Sequence, residues 1–226
     1  MRTLTGTLLA IALFLPAPSF AQAVLGTEGF LTWRAETYVP HGYGGKALPT
    51  QSSFVSAAFE LIEGGKQADL SGRELRWFLD DALFTKGRGL KTTRFQATVG
   101  NDNSHFVRVQ VTDGRNILFE KSAEIPVVRP RVNIVPPFLE NVIGRGAHEF
   151  SVVPFFFNVK SLDELLFAWT VNSQTPSAEG VDEPSKLAFS VPGDIASGTP
   201  LVLSSFAANK NDQTERASKE LRFSVK

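Results

Sequence analysis

Apolar and polar residues alternate along this chain in short runs, and turn residues cut the runs at intervals of about ten residues, the rhythm of an all-β sandwich or barrel. The clearest run is Phe106-Val107-Arg108-Val109-Gln110-Val111, which closes on Asp113-Gly114. Period two predicts that it buries Val107, Val109 and Val111 and exposes Arg108 and Gln110. Leu75, Trp77 and Leu79 share one face of an earlier run, with Arg76 and Phe78 on the other and Asp80-Asp81 as its turn. Strands are also predicted over 29–35, 54–61, 93–99 and 116–128, with turns at Glu63-Gly64-Gly65 and Gly100-Asn101-Asp102-Asn103. Helical signal is confined to Ser161-Leu162-Asp163-Glu164-Leu165, one turn with the outline of a capping box.

The plan occurs twice. Leu166-Phe167-Ala168-Trp169-Thr170-Val171-Asn172-Ser173 repeats 74–81, and Trp77 and Trp169 stand 92 positions apart. That offset lays Leu75 on Phe167, Phe95 on Leu187, Val109 on Leu201 and Val111 on Leu203, apolar on apolar. Upstream an offset of 96 lays Phe54 on Phe150, and at the end one of 98 lays Ile125 on Phe223 and Val127 on Val225. Two sandwiches in tandem follow, over 24–128 and 129–226. Val127-Val128-Arg129-Pro130-Arg131 is the boundary, because proline does not continue a central strand. So short a linker predicts a semi-rigid rod.

A strand with a central Trp and an acidic turn, followed by a Val-x-Val-x-Val-x-Asp strand at 107–113, resembles the polycystic kidney disease (PKD) pattern among immunoglobulin-like sandwiches. The resemblance covers 75–114 and, through the repeat, 167–203. Thr37-Tyr38-Val39-Pro40, 45–49 and Arg76-Trp77-Phe78-Leu79-Asp80 are similar to exported bacterial proteins of tandem-sandwich type. What this implies is a spacer, adhesion or appendage role in the cell envelope or at the surface, with no activity attached.

Residues 1–23 read as a cleavable signal peptide: Arg2, the apolar stretch 8–15, then Ala21-Gln22-Ala23 as a small-x-small cleavage site. That stretch is short of the roughly 20 residues of a membrane span, so no span is expected in the mature chain. The rest, about 200 residues, suits two domains of about 100. Export predicts a periplasmic, cell-surface or extracellular protein. With no cysteine the chain has no disulfide or thiolate metal site, which points to a bacterial protein held by packing. Its 23 basic and 23 acidic residues cancel, against a nucleic-acid partner.

Chemistry-bearing motifs are few. His41, His105 and His148 are spread over turns and strand starts, where solvated loop histidines are expected, and His148-Glu149 lacks the second histidine of a zinc-protease motif. No nucleophile elbow occurs. Acidic groups at Asp80-Asp81, 101–103 and 179–183 lack the spacing of a calcium loop. The expectation is a non-enzymatic protein without catalytic residues, metal or cofactor, whose partner is another envelope or surface protein. Carbohydrate is the alternative. Its carriers are the two tyrosines, Tyr38 and Tyr43, in one Gly- and Pro-rich loop with His41; their rings either stack on a ligand or plug the sandwich end. In Phe155-Phe156-Phe157, alternation turns at least one ring away from the core, and Phe156 is placed either at the domain junction or on a protein-binding face.

Overall fold

The structure, a computed structural model, describes residues 26–98, 103–176 and 183–226. The expected signal segment, Val99 to Asp102 and most of the acidic stretch at 179–183 lie outside the described residues. The first half contains β1 (Thr27–Ala35), β2 (Phe54–Glu63), β3 (Lys66–Gln67), β4 (Glu74–Leu79), β5 (Ala82–Arg88), β6 (Thr92–Gln96), β7 (Ser104–Asp113) and β8 (Asn116–Pro126). The second contains β9 (Arg131–Val135), β10 (Val142–Ile143), β11 (Gly146–Phe155), β12 (Leu165–Val171), β13 (Lys186–Val191), β14 (Pro200–Asn209) and β15 (Arg216–Val225). One 3₁₀ turn, Leu162–Glu164, precedes β12.

Each half is a pair of antiparallel sheets closed on its own core. In the first, β2 carries β1 on one side and β3 and β6 on the other, facing a sheet of order β5-β4-β7-β8. In the second, β13-β11-β9 faces β10-β15-β14-β12, where the short β10 joins β15 in parallel. Setting aside β3, β5 and β10, six strands remain in each half, and the first, second and fourth of them (β1, β2 and β6; β9, β11 and β13) oppose the third, fifth and sixth (β4, β7 and β8; β12, β14 and β15), the immunoglobulin-like arrangement. The protein is all-β, two such sandwiches in tandem. The first core gathers Val55, Phe59, Leu75, Trp77, Val107, Val109 and Val111, and the second Phe150, Phe157, Trp169, Leu187, Leu203 and Phe223. Val127 packs into the first and Val132 into the second, so the chain changes cores within five residues.

The two indoles occupy equivalent places. Trp77 is 1% exposed and Trp169 8%, each on the strand beside β7 or β14, opposite Val109 and Ser205. Each donates its ring N–H to a carbonyl two residues ahead of an equivalent strand of the facing sheet, Leu90 before β6 at 2.8 Å and Pro184 before β13 at 3.3 Å. A buried indole needs that acceptor. Both strands then end in a tight turn with two residues at positive φ, Asp80-Asp81 (50° and 64°) and Asn172-Ser173 (48° and 64°). Asp and Asn tolerate that conformation better than other side chains, which is why they mark the site.

Three expectations fail in register or burial. With the tryptophans superposed, Val107, Val109, Val111 and Asp113 fall on Leu203, Ser205, Ala207 and Asn209, an offset of 96 in place of 92. A four-residue slip keeps every side chain on its face, so alternation alone cannot detect it. Phe54 and Phe150 are not equivalent, because Phe54 is exposed on the outer face while Phe150 is fully buried. Gln110 is buried despite facing outward. It lies mid-sheet between Arg76 and Glu120, and its Nε2 donates to Glu120 Oε2 at 2.5 Å.

Trp77→Ala is expected to cost about 3–5 kcal/mol in urea denaturation, as removal of a buried aromatic that also satisfies a carbonyl does. A loss under about 1 kcal/mol would show that the indole is not a core residue.

Candidate functional site

The features that sequence singled out meet where the two sandwiches touch. The connection 36–53, between β1 and β2, reaches across to the second sandwich. Tyr38 N–H donates to the Phe157 carbonyl at 2.7 Å, and Phe156 N–H donates to the Tyr38 carbonyl at 2.7 Å. This two-bond bridge extends the end of β11 with a residue of the other sandwich. The Tyr38 ring is half-buried against the second core, and burial pushes its hydroxyl pKa up.

Phe156 explains why the bridge forms. Its φ of 64° lies in the left-handed region, which costs a bulky residue about 1–2 kcal/mol. The flip ends the alternation of β11, so Phe156 and Phe157 are both buried, while Phe155 stays half-buried on the outer side. Only Phe157 joins the second core; the positive φ sets Phe156 outside it, buried among Tyr43, Phe155 and Arg131. The buried rings and the two bonds to Tyr38 offset the strain.

Tyr43 sits on top of this corner. Its ring meets Phe155 and Phe156 edge-on, at centroid distances of 5.5 and 6.2 Å, and remains 38% exposed. Gly42, at φ 77°, allows the turn closed by Tyr43 N–H and the Pro40 carbonyl. Gly45 lies so close under the tyrosine that a Cβ there would be 2.5 Å from the ring. His41 is exposed at the tip of the turn. The structure therefore brings Tyr38, Tyr43 and Phe156 together, with His41 at the edge. Tyr43 alone of the three rings presents much surface.

Beside the connection 36–53 lies a polar contact that sequence reasoning missed. Glu215, 8% exposed, follows the turn between β14 and β15. Its Oε1 accepts from Thr50 Oγ1 of the first sandwich at 3.1 Å and from Asn158 N–H of the second at 2.7 Å. Its Oε2 accepts from Asn209 Nδ2 at 2.7 Å. Asn158 Nδ2 reaches back to the Ser52 carbonyl at 3.4 Å. A buried carboxylate is tolerated when its lone pairs are filled this way. Glu215 thus ties the first sandwich to two strand-end loops of the second.

Clefts flank this contact. One, of about 400 Å³, is bounded by Thr50, Val128, Arg129, Pro130, Thr214 and Arg216. The other, of about 690 Å³, includes Tyr38, Phe54, Arg94, Asn158, Lys160 and Glu164. In the larger cleft Arg94 donates from Nε and Nη2 to Glu36 at 2.9 and 2.8 Å, and its guanidinium lies 3.6 Å over the Phe54 ring. The hydrogen bond from Arg94 is the main cause holding the Glu36 carboxyl below its usual pKa.

The histidines remain apart. His105 is not a solvated loop residue: it is buried in β7, where Thr98 N–H donates to its Nε2 at 2.9 Å and Asp80 Oδ2 lies 2.7 Å from Nδ1. The hydrogen-bond network assigns the proton to Nδ1, making this a structural clamp on the Asp80 turn. His148 Nε2 lies 2.7 Å from the Gly144 carbonyl. Among the described residues no three His, Asp or Glu groups gather as a metal site.

No protein-family model and no curated protein matches the chain. Among solved structures it is similar to the three N-terminal domains of the highly immunogenic outer capsid protein of bacteriophage RB49. The identity is 12%, over 88% of this chain and 59% of that one, with a TM-score of 0.45. The adhesin InvE of Yersinia pseudotuberculosis matches at 15% identity over 86% of this chain and 58% of that one, TM-score 0.25. A C-terminal fragment of intimin, in complex with the intimin-binding domain of its translocated receptor, matches at 11% identity, 76% and 60% coverage and TM-score 0.28. The chain thus spans about three-fifths of these chains. At such scores the strand topology described above, and not these neighbours, carries the fold. Among the described residues no helix is long and apolar enough to cross a membrane.

Glu215→Ala, which strands the Thr50, Asn158 and Asn209 donors, is expected to cost about 2–5 kcal/mol by urea denaturation. An unchanged midpoint would show that the network is replaced by water at no loss. Tyr43→Ala is expected to lower the melting temperature by several degrees, because the ring caps the strained corner at Phe156. No shift would assign Tyr43 to contact with a partner alone.

Proposed function

We propose that this chain is an exported, non-enzymatic structural or protein-interaction module of the bacterial cell envelope or surface, built as domains 24–128 and 129–226. The observation that supports it is the junction. Tyr38, Thr50 and Glu215 fasten one sandwich to the other by backbone and buried side-chain bonds, the construction expected of a spacer that presents surfaces at a set angle. The exposed ring of Tyr43, over Phe155 and Phe156, is the aromatic contact point this reading assigns to a protein partner.

Carbohydrate binding is the second reading. Tyr38 and Phe54 line the larger cleft together with Glu36 and Arg94, an aromatic and hydrogen-bonding set suited to a sugar.

A photo-crosslinking amino acid at position 43, installed in the protein as exported by its own bacterium, separates the two. A discrete protein adduct in the envelope or surface fraction supports the first reading. A glycan array signal that disappears in Tyr38→Ala with Tyr43→Ala, without a protein adduct, would replace it with the second.

A further inference from the structure

We infer that the smaller cleft at the junction is a binding site for a small carboxylate ligand of about monosaccharide size, held by Arg129 and Arg216. Its walls come from three parts of the chain: the β1–β2 connection at Thr50, the linker at Val128 to Pro130, and the second sandwich at Thr214 to Arg216. The cleft's volume, about 400 Å³, lies near the lower end of the range for small-molecule sites.

The charges around it divide into used and unused. Glu215 is filled by Thr50, Asn158 and Asn209. Asp212 Oδ1 accepts from Thr214 N–H at 3.0 Å and from Thr214 Oγ1 at 2.6 Å, closing its own turn. Among the described residues the side chains of Arg129 and Arg216 enter no hydrogen bond, ion pair or ring contact. By contrast Arg73, Arg76, Arg94, Arg108 and Arg222 all hold carboxylates. The acids of the cleft are committed to the fold while its two guanidinium groups keep their donors free. Formal charge in the cleft cancels, so recognition rests on short-range, planar, two-point hydrogen bonding. That is the contact a guanidinium makes with a carboxylate.

Among the described residues no aromatic ring lines this cleft, so it does not share the stacking chemistry of the larger one. Because its walls belong to both sandwiches, an occupant also strengthens the junction and raises thermal stability with concentration.

The test uses the whole chain, with glucuronate as probe and glucose as its neutral counterpart, read by amide chemical shifts and by melting temperature. Glucuronate is expected to shift the amides of Thr50, Val128 and Thr214 and to raise the melting temperature; glucose does neither. Arg129→Ala and Arg216→Ala are each expected to weaken glucuronate about tenfold or more, the scale of one charged hydrogen-bonding contact. Arg88→Ala, at an exposed arginine of β5, leaves it unchanged. Equal shifts with glucose, no shift at these amides, or the same loss in Arg88→Ala would overturn the site. A response only to a peptide with a free C-terminus would overturn the assignment to a small carboxylate of monosaccharide size. None of these results depends on whether position 43 contacts a protein.

Discussion

A carboxylate removed from water must be supplied with hydrogen bonds, and at Glu215 the supply comes from both halves of the molecule. Drawing the sandwiches apart would take Thr50 from Glu215, Tyr38 from the chain at Phe156 and Phe157, and Asn158 from Ser52. These losses fall together, because the contacts are adjacent. The left-handed Phe156 adds to them. Its conformation is unfavourable alone and is held by the bridge from Tyr38, so the corner is stable only as a docked unit.

Each sandwich, by contrast, is held by its own interior. Trp77 and Trp169 are enclosed by separate sets of apolar residues, and each spends its N–H on a local carbonyl. The halves have diverged at their edges. The first extends the sheet of β4, β7 and β8 with β5 beside β4, whereas the second leaves β12 at the sheet edge and adds β10 beside β15. Such changes in edge strands leave the central packing of an immunoglobulin-like sandwich untouched.

What could be read from sequence was local or periodic. The tryptophans, the turns at Asp80-Asp81 and Asn172-Ser173, and the alternation of β7 are fixed by neighbouring residues, and the structure has them where those patterns place them. The alignment of β7 with β14 was misplaced by four because an even slip preserves the pattern. The burial of His105 depends on Asp80 and Thr98, and that of Gln110 on Glu120, which are contacts across strands and carry no local mark. Phe156 adopts a conformation its residue type does not announce. Glu215 was invisible because its partner in the other sandwich lies 165 positions away. The loop with Tyr38 and Tyr43 did stand out by composition, although its main engagement is with the second half of the same chain.

The most direct measurement of this account is the distribution of distances between spin labels placed at Leu118 in the first sandwich and Leu139 in the second, both exposed. One narrow population, broadened by Glu215→Ala, is the predicted result. A broad distribution in the unaltered protein would contradict the junction as the fixed element of the molecule.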